Sequence, residues 1–300
     1  MDSVDKLLNI AIGLNCAALK AAPMNEYTSF RIGGPVDLLI KPNSSVNFQH
    51  LLHECRLLEL DYLVLGKGSN VLVSDSGIRG VVFCTTELNN CEYIGDNIIE
   101  CDAGVGLSSL CNFALENEFS GIEFAYGIPG SAGGAVYMNA GAYGGEMKDV
   151  LLSCNHLTTN ASFGSLEGNA LDFSYRNSAY SSNGCIITSL QLRLHKGDRN
   201  EIKSRMNEIW ESRKDKQPLE FPSAGSIFKH PKDRYAGAII EECGLKGRSI
   251  GDAEVSVKHA GFIVNKGNAT AHDVLKLIEI IKETVLSEKS IRLETEIKFI

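Results

Sequence analysis

The chain has 300 residues, of which 44% are hydrophobic and 22% charged, and its net charge is −8. That length exceeds what one hydrophobic core normally serves, so two domains and a short N-terminal piece are expected; the acidic balance argues against non-specific nucleic-acid binding. No apolar run approaches a membrane span, and Met1-Asp2-Ser3 is not a signal-peptide start. Nine cysteines without a C-x-x-C or a zinc-like quartet read as reduced thiols in the cytoplasm.

Taken in order, 4–14 is expected to form an amphipathic helix, and TSFRIGGP at 28–35 is turn-rich. A buried strand follows at 36–40, then a helix over 45–60 carrying Val46, Leu51, Leu52, Cys55 and Leu58 at helical spacing. A second apolar strand at 62–65 runs into Gly66-Lys67-Gly68-Ser69-Asn70. Gly66-x-Gly68 invites a dinucleotide-binding reading, but Val71 stands where the third glycine of G-x-G-x-x-G belongs, and Val71-Leu72-Val73 reads as strand rather than helix. A glycine loop between two strands, with Ser69 and Asn70 as donors, can grip a pyrophosphate or be an ordinary tight turn.

Short strands are expected at 81–83 and 98–101, and a helix at 107–118 with Leu107, Leu110, Cys111, Ala114 and Leu115 as its core stripe. The stretch GIEFAYGIPGSAGGAVYMNAGAYGGE at 121–146 is too rich in glycine for an ordinary helix or strand. Its Gly130-Ser131-Ala132-Gly133-Gly134 run offers backbone N–H groups with no bulk around them, as a phosphate cradle needs, or as a buried crossing between layers would have. Strands follow at 151–158 and 185–194, with Tyr175-Arg176-Asn177-Ser178 on a loop. A charged helix at 200–216 carries Ile202, Met206, Ile209 and Trp210 on one face, and the domain boundary is placed at its start. Beyond it lie a small-residue segment at 221–231, a helix near 236–242 ending at Gly244, a strand at 259–264, and a capping box Thr270-x-x-Asp273 opening a helix through 286. The alternation of 291–300 reads as a closing strand with Glu294 and Glu296 on one face.

No H-E-x-x-H, G-x-S-x-G or EF-hand loop is present, and the histidines show no metal-ligand spacing, so no metal site is expected. Hydroxyls, one arginine and carboxylates remain. That set suits proton donation and enolate stabilisation beside a bound cofactor that does the redox chemistry.

Six motifs stand in register: TSFRIGGP at 28–35, GKGSNVLV at 66–73, GIPGSAGGAVYMNAGAYGG at 127–145, YRNS at 175–178, PSAGSIF at 222–228 and LETEIKFI at 293–300. Together they resemble the UDP-N-acetylenolpyruvoylglucosamine reductases, over almost the whole chain from residue 23. The resemblance implies an α+β fold: an FAD-binding domain of the vanillyl-alcohol oxidase / p-cresol methylhydroxylase type at 23–198, in subdomains of about 23–86 and 87–198. A smaller α+β substrate-binding domain at 199–300 follows, and 1–22 is an N-terminal helical segment. It implies the shorter subtype of the family, with FAD bound non-covalently, NADPH as hydride donor and a UDP-sugar enolpyruvyl ether as substrate. The setting it implies is peptidoglycan precursor synthesis. No nucleic acid or membrane partner is implied, and a monomer or weak dimer is expected.

By the same resemblance FAD is held by Arg31, Gly66, Gly68, Ser69, Asn70, Val71, Gly127, Ile128, Pro129, Gly130, Ser131, Gly133, Gly134, Asn139, Gly141 and Ala142. Ser226 matches the proton donor, Arg176 the group that stabilises developing charge, and Glu296 a hydrogen-bonding carboxylate. A serine hydroxyl is a weak acid and serves only beside strong donors. Tyr175, Lys216 and Lys229 are expected to contact substrate, the lysines at its phosphates, while Arg213 serves equally well as a solvated helix end. Ala132 stands where the family commonly has valine, and Asp252 and Glu254 replace a glycine and an amide. The rival readings are a superfamily flavin oxidase using oxygen and a non-catalytic flavin or nucleotide-sugar sensor.

Overall fold

The computed structural model describes residues 2–300. Its contacts divide the chain into two compact units: residues 1–21, 37–67 and 79–211 form the first, and 22–36, 68–78 and 212–300 the second. This differs from the contiguous division expected at 198/199. Two N-terminal segments belong with the C-terminal unit, and the long charged helix Arg199–Lys216 crosses from one unit to the other. A division read along the sequence cannot register segments that leave a unit and return to it.

The first unit holds two hydrophobic cores. One lies under a four-stranded sheet ordered Ala17–Pro23, Pro35–Lys41, Ile78–Cys84, Tyr62–Leu65, the last two strands pairing in parallel. Helix Ser45–Leu57 covers it because Phe48, Leu51, Leu52 and Cys55 recur on one face and are buried. Ser44 caps that helix by accepting from the Asn47 N–H at 3.2 Å. Val46, expected on the buried stripe, is exposed instead, since it lies off the 48–51–52–55 face. Helix Ser3–Gly13 adds Leu7 and Ala11 to the same core.

The second core lies beneath an antiparallel five-stranded sheet ordered Phe163–Glu167, Leu151–Leu157, Ile186–Arg193, Ile98–Asp102, Cys91–Gly95. Its inward rows pack against helix Leu107–Glu116 and against a short helix, Ala132–Tyr137. That second helix corrects the expectation that the glycine-rich stretch contains no helix. Ser131 caps it by accepting from Gly134 N–H, and Ala132, Ala135 and Val136 give it a buried face that offsets the propensity cost of Gly133 and Gly134. The strands Ala17–Pro23, Cys91–Gly95 and Phe163–Glu167 went unread in the sequence, having no long apolar alternation.

The second unit is an antiparallel sheet ordered Ser223–Ser226, Phe262–Asn265, Ala253–Val255, Ser249–Ile250, packed on helices Ala236–Glu242 and Ala271–Lys289. Gly244 follows the first of these in the left-handed region (φ 67°), as a C-terminal cap requires. The second opens on the expected Thr270/Asp273 capping box, and its first N–H groups are also bound by a distant side chain: Asp75 accepts from Ala271 at 2.8 Å and His272 at 3.1 Å. Residues 291–300 are not one strand. Thr295 bridges Phe228, and Lys298–Phe299 pairs in parallel with Val71–Leu72, so the segment changes partner along its length. Glu294 and Glu296 accordingly differ: Glu294 is exposed and Glu296 half-buried.

Candidate active site

In the first unit, the glycine run is anchored by two of its own amides. Ala132 N–H donates to Val105 O and Gly133 N–H to Ala103 O, each at 2.8 Å, while Leu107 N–H donates to Gly130 O at 3.1 Å. The row of free donors expected across 130–134 is thus smaller: the N–H groups of Gly130 and Ser131 are those that donate to no acceptor among the described residues. A Cβ on Gly133 would lie 2.7 Å from Ala103 Cβ, and one on Gly66 would lie 2.2 Å from Ser131 Oγ. Gly66 therefore allows the turn it opens to approach Ser131, and Gly133 allows the 131–134 run to approach Ala103.

The loop after strand Tyr62–Leu65 behaves differently. The backbone N–H groups of Lys67, Gly68, Ser69 and Asn70 donate to no acceptor among the described residues. Gly68 takes φ 61°, which successive peptide groups need in order to turn their N–H bonds inward as an anion-binding concavity. Asn70 is otherwise tied to the C-terminal segment, its Nδ2 donating to Glu296 O at 3.4 Å and its own O accepting from Lys298 N–H at 3.0 Å. A loop of unspent donors flanked by glycine fits a pyrophosphate.

Asn139, Gly141 and Ala142 follow the short helix. Asn139 is wholly buried at φ 43°; its Nδ2 donates to Glu146 Oε2 at 2.7 Å and to Ser174 O at 3.0 Å, and its Oδ1 accepts from Lys148 N–H at 3.0 Å. Its side chain thus braces the loops around it, and its backbone N–H donates to Val136 O at 3.0 Å. Gly141 and Ala142 pair with Glu146 and Gly145 as a small hairpin, and Gly141 O accepts from Arg176 Nη2 at 3.2 Å. Arg176 sits at φ 55° between the bridged residues Ser174 and Asn177, its guanidinium 5.1 Å from the ring of exposed Tyr175. Strain of that kind in a non-glycine residue marks a side chain whose direction is fixed by its surroundings.

In the second unit, Ser226 ends strand Ser223–Ser226 opposite Phe262, just after Gly225 at φ 75°, where the ladder is irregular. Such a bulge re-aims the side chain that follows it. Glu296 N–H donates to Ile227 O at 2.8 Å and Lys229 N–H to Glu294 O at 2.9 Å, so the Ser226 and Glu296 segments run side by side. Nothing in their separation along the chain announces this. Arg31 is exposed at φ 54°, and its turn is held to the same unit by Ser29 Oγ donating to Ser223 O at 2.7 Å and Asn265 Nδ2 donating to Phe30 O at 3.2 Å. Lys229 Nζ pairs with Glu294, Lys216 is exposed at the last turn of its helix, and Arg213 is nearly buried, donating to Gln217 Oε1 at 3.4 Å. Asn139 as a brace, Asp75 as a remote helix cap and Asn265 as a buried tie had no signal in the sequence, because each acts through partners far along the chain.

Among the described residues no group of three or more His, Cys, Asp or Glu side chains could hold a metal ion, and no helix is long and apolar enough to cross a membrane. A family model described as an FAD binding domain matches residues 36–163, the span that holds the glycine loop and the whole glycine-rich stretch. A second, described as UDP-N-acetylenolpyruvoylglucosamine reductase, C-terminal domain, matches 217–300. The protein is an FAD-dependent oxidoreductase of α+β fold, with an FAD-binding domain of the vanillyl-alcohol oxidase type. Among curated proteins it is 47% identical over 277 residues to the UDP-N-acetylenolpyruvoylglucosamine reductase of Clostridium novyi, covering 92% of this chain and 90% of that one. It superposes on the crystal structure of the reductase from Thermus caldophilus with a TM-score of 0.80 at 35% identity, over 95% of this chain and 98% of that one. A glucooligosaccharide oxidase from Acremonium strictum, 9% identical with a TM-score of 0.51 over 96% of this chain and 60% of its own, shares the fold alone. The chain belongs to the UDP-N-acetylenolpyruvoylglucosamine reductase family.

Proposed function

We propose that this protein reduces the enolpyruvyl ether of UDP-N-acetylglucosamine to UDP-N-acetylmuramate, with NADPH as reductant, in the cytoplasmic synthesis of peptidoglycan precursors. The observation that carries this reading is the 47% identity to a reductase of that name across 92% of the chain. Bound FAD would supply the hydride-transfer chemistry that links NADPH to the terminal alkene carbon of the substrate.

The unspent N–H groups of the Lys67–Asn70 loop and of Gly130 and Ser131 hold the pyrophosphate of the cofactor, and Gly66, Gly68, Gly133 and Gly134 let these segments pack closely enough to present them. Val71, Gly127, Ile128, Pro129, Gly141, Ala142 and exposed Arg31 complete the cofactor's surroundings, and Asn139 braces the loop that carries Gly141 and Ala142. Arg176, its guanidinium oriented by Gly141 O and the Tyr175 ring, binds the substrate carboxylate and stabilises the charge that collects there. Ser226 delivers a proton to the carbon next to that carboxylate. Glu296 hydrogen-bonds beside it, its backbone fixed to the strand that carries Ser226. Lys216 and Lys229 meet the substrate phosphates, Lys229 exchanging its pairing with Glu294 for a phosphate oxygen. The protein acts as a monomer or weak dimer.

The test separates the two half-reactions by anaerobic flavin absorbance. NADPH is expected to bleach the yellow colour, and the UDP-sugar enolpyruvyl ether to restore it in full. In Ser226→Ala, bleaching by NADPH is expected to persist while recovery slows by roughly 10²–10⁴-fold, the usual worth of a positioned acid. Equal loss in both steps removes Ser226 from the role of proton donor. Recovery only on admission of air points to an oxidase, and a bound flavin that never bleaches points to a sensor.

A further inference from the structure

Two cysteines outside the proposed site face each other across adjacent strands. Cys91 opens the strand Cys91–Gly95 at the edge of the five-stranded sheet, and its register partner on strand Ile98–Asp102 is Cys101. The bond from Asp102 N–H to Asn90 O (2.9 Å) makes this a non-hydrogen-bonded rung, the kind whose Cα atoms lie closest, about 4.5 Å apart. That spacing is inside the range a disulfide spans, and side chains on such a rung point to the same side of the sheet. Both thiols do so here: Cys101 is part of the core and Cys91 packs against it from the margin. The flanking chain is laced as well, with Gly104 N–H on Leu88 O at 2.9 Å and Asn90 N–H on Asp102 Oδ2 at 3.0 Å, so closing a bond needs little backbone movement.

We propose that Cys91 and Cys101 form a reversible cross-strand disulfide, making this edge hairpin an oxidation site of the protein. The oxidant class is a small disulfide such as oxidised glutathione. The Cys91 sulfur attacks one of its sulfurs and expels the first thiol; the Cys101 sulfur then attacks the mixed disulfide at Cys91 and expels the second. Two protein thiols are oxidised, the reagent's S–S bond is reduced to two thiols, and both protein protons pass to the released thiolates. Cys91, half-buried at the edge, is the sulfur that meets the reagent, and buried Cys101 is the resolving one.

Among the described residues no other two cysteines are partners in the strand registers given by the sheets of this unit. Cys154 lies on the same row, but Leu190 stands between it and Cys101, opposite each in register. Two strand spacings, about 9.5 Å, are too far for a bond. The next rung on the hairpin sets Glu92 opposite Glu100, a like-charge pairing that loosens the edge beside the thiols. Burial pushes the Cys91 thiol up to about 12 and the Cys101 thiol well above the ordinary range, so exchange is slow at neutral pH and quickens as pH rises.

The experiment treats the folded, full-length protein with oxidised glutathione, caps the remaining thiols with N-ethylmaleimide and maps the peptides by mass spectrometry. A linked peptide joining Cys91 to Cys101, lighter by two hydrogens and cleaved by dithiothreitol, is expected, and also in Cys154→Ser. In Cys101→Ala the mixed glutathione disulfide at Cys91 is expected to persist. The proposal is overturned if the native wild-type protein holds glutathione on Cys91 without resolving it. It is equally overturned if Cys101 links to Cys154, or if the 91–101 link forms only after unfolding.

Discussion

Asn139 offers the sharpest test of how the first unit is held. Replacing it with alanine removes a hydrogen bond to the Glu146 carboxylate at 2.7 Å and two to backbone groups at 3.0 Å, all from a residue with no solvent exposure. A charge-assisted bond contributes about 1.5–3 kcal/mol and each neutral one about 1 kcal/mol. Glu146 keeps Lys148 Nζ at 3.2 Å and some access to water, which places its share at the lower end. Alanine at φ 43° adds about 1 kcal/mol of backbone cost that asparagine tolerates better. The expected loss is about 4–5 kcal/mol for Asn139→Ala and about 1 kcal/mol less for Asn139→Gly, which relieves the backbone but not the hydrogen bonds. Trp210, the one tryptophan of the chain, packs on Tyr126 at 6.4 Å between ring centres and reports on this unit by fluorescence during urea unfolding. A loss below about 1 kcal/mol in Asn139→Ala would refute the view that these three bonds hold the 139–148 and 174–177 loops together.

Other consequences can be checked in the same way. Gly133→Val places a branched side chain against Ala103, where even a Cβ would lie 2.7 Å away; a loss of roughly 1–3 kcal/mol and weaker flavin retention on gel filtration are expected. Asp75→Ala removes the remote cap of helix Ala271–Lys289 while leaving the Thr270/Asp273 box, and is expected to cost about 1–2 kcal/mol in denaturant unfolding followed by circular dichroism. Burial depresses His156 and His259 below the usual histidine range. Their contribution is therefore complete above about pH 6.5 and is lost as pH falls through the folded values. In His156→Asn the acid-side decline followed by Trp210 fluorescence is expected to flatten; an unchanged slope would remove His156 as its source.

Most of the local structure, and the family, were legible in the order of residues. Helix Ala271–Lys289 was legible because Thr270 and Asp273 act within four residues of each other, and the helix at 45–57 because its apolar spacing is a local property. Gly66 and Gly133 were conspicuous as glycines, but what each accommodates is a side chain from a distant segment, Ser131 Oγ in one case and Ala103 Cβ in the other. Packing alone places residues 22–36 and 68–78 with the C-terminal unit, and fixes Glu296 beside the end of the Ser226 strand through a hydrogen bond to Ile227 O, far away along the chain. The same holds for the amides of Ala132 and Gly133, which carbonyls at 103 and 105 consume while those of the Lys67–Asn70 loop remain available. The physical reason is common to all three. Helical periodicity and caps depend on neighbours a few residues away, whereas strand pairing, close backbone approach and the spending of each amide proton depend on which distant segment arrives beside it.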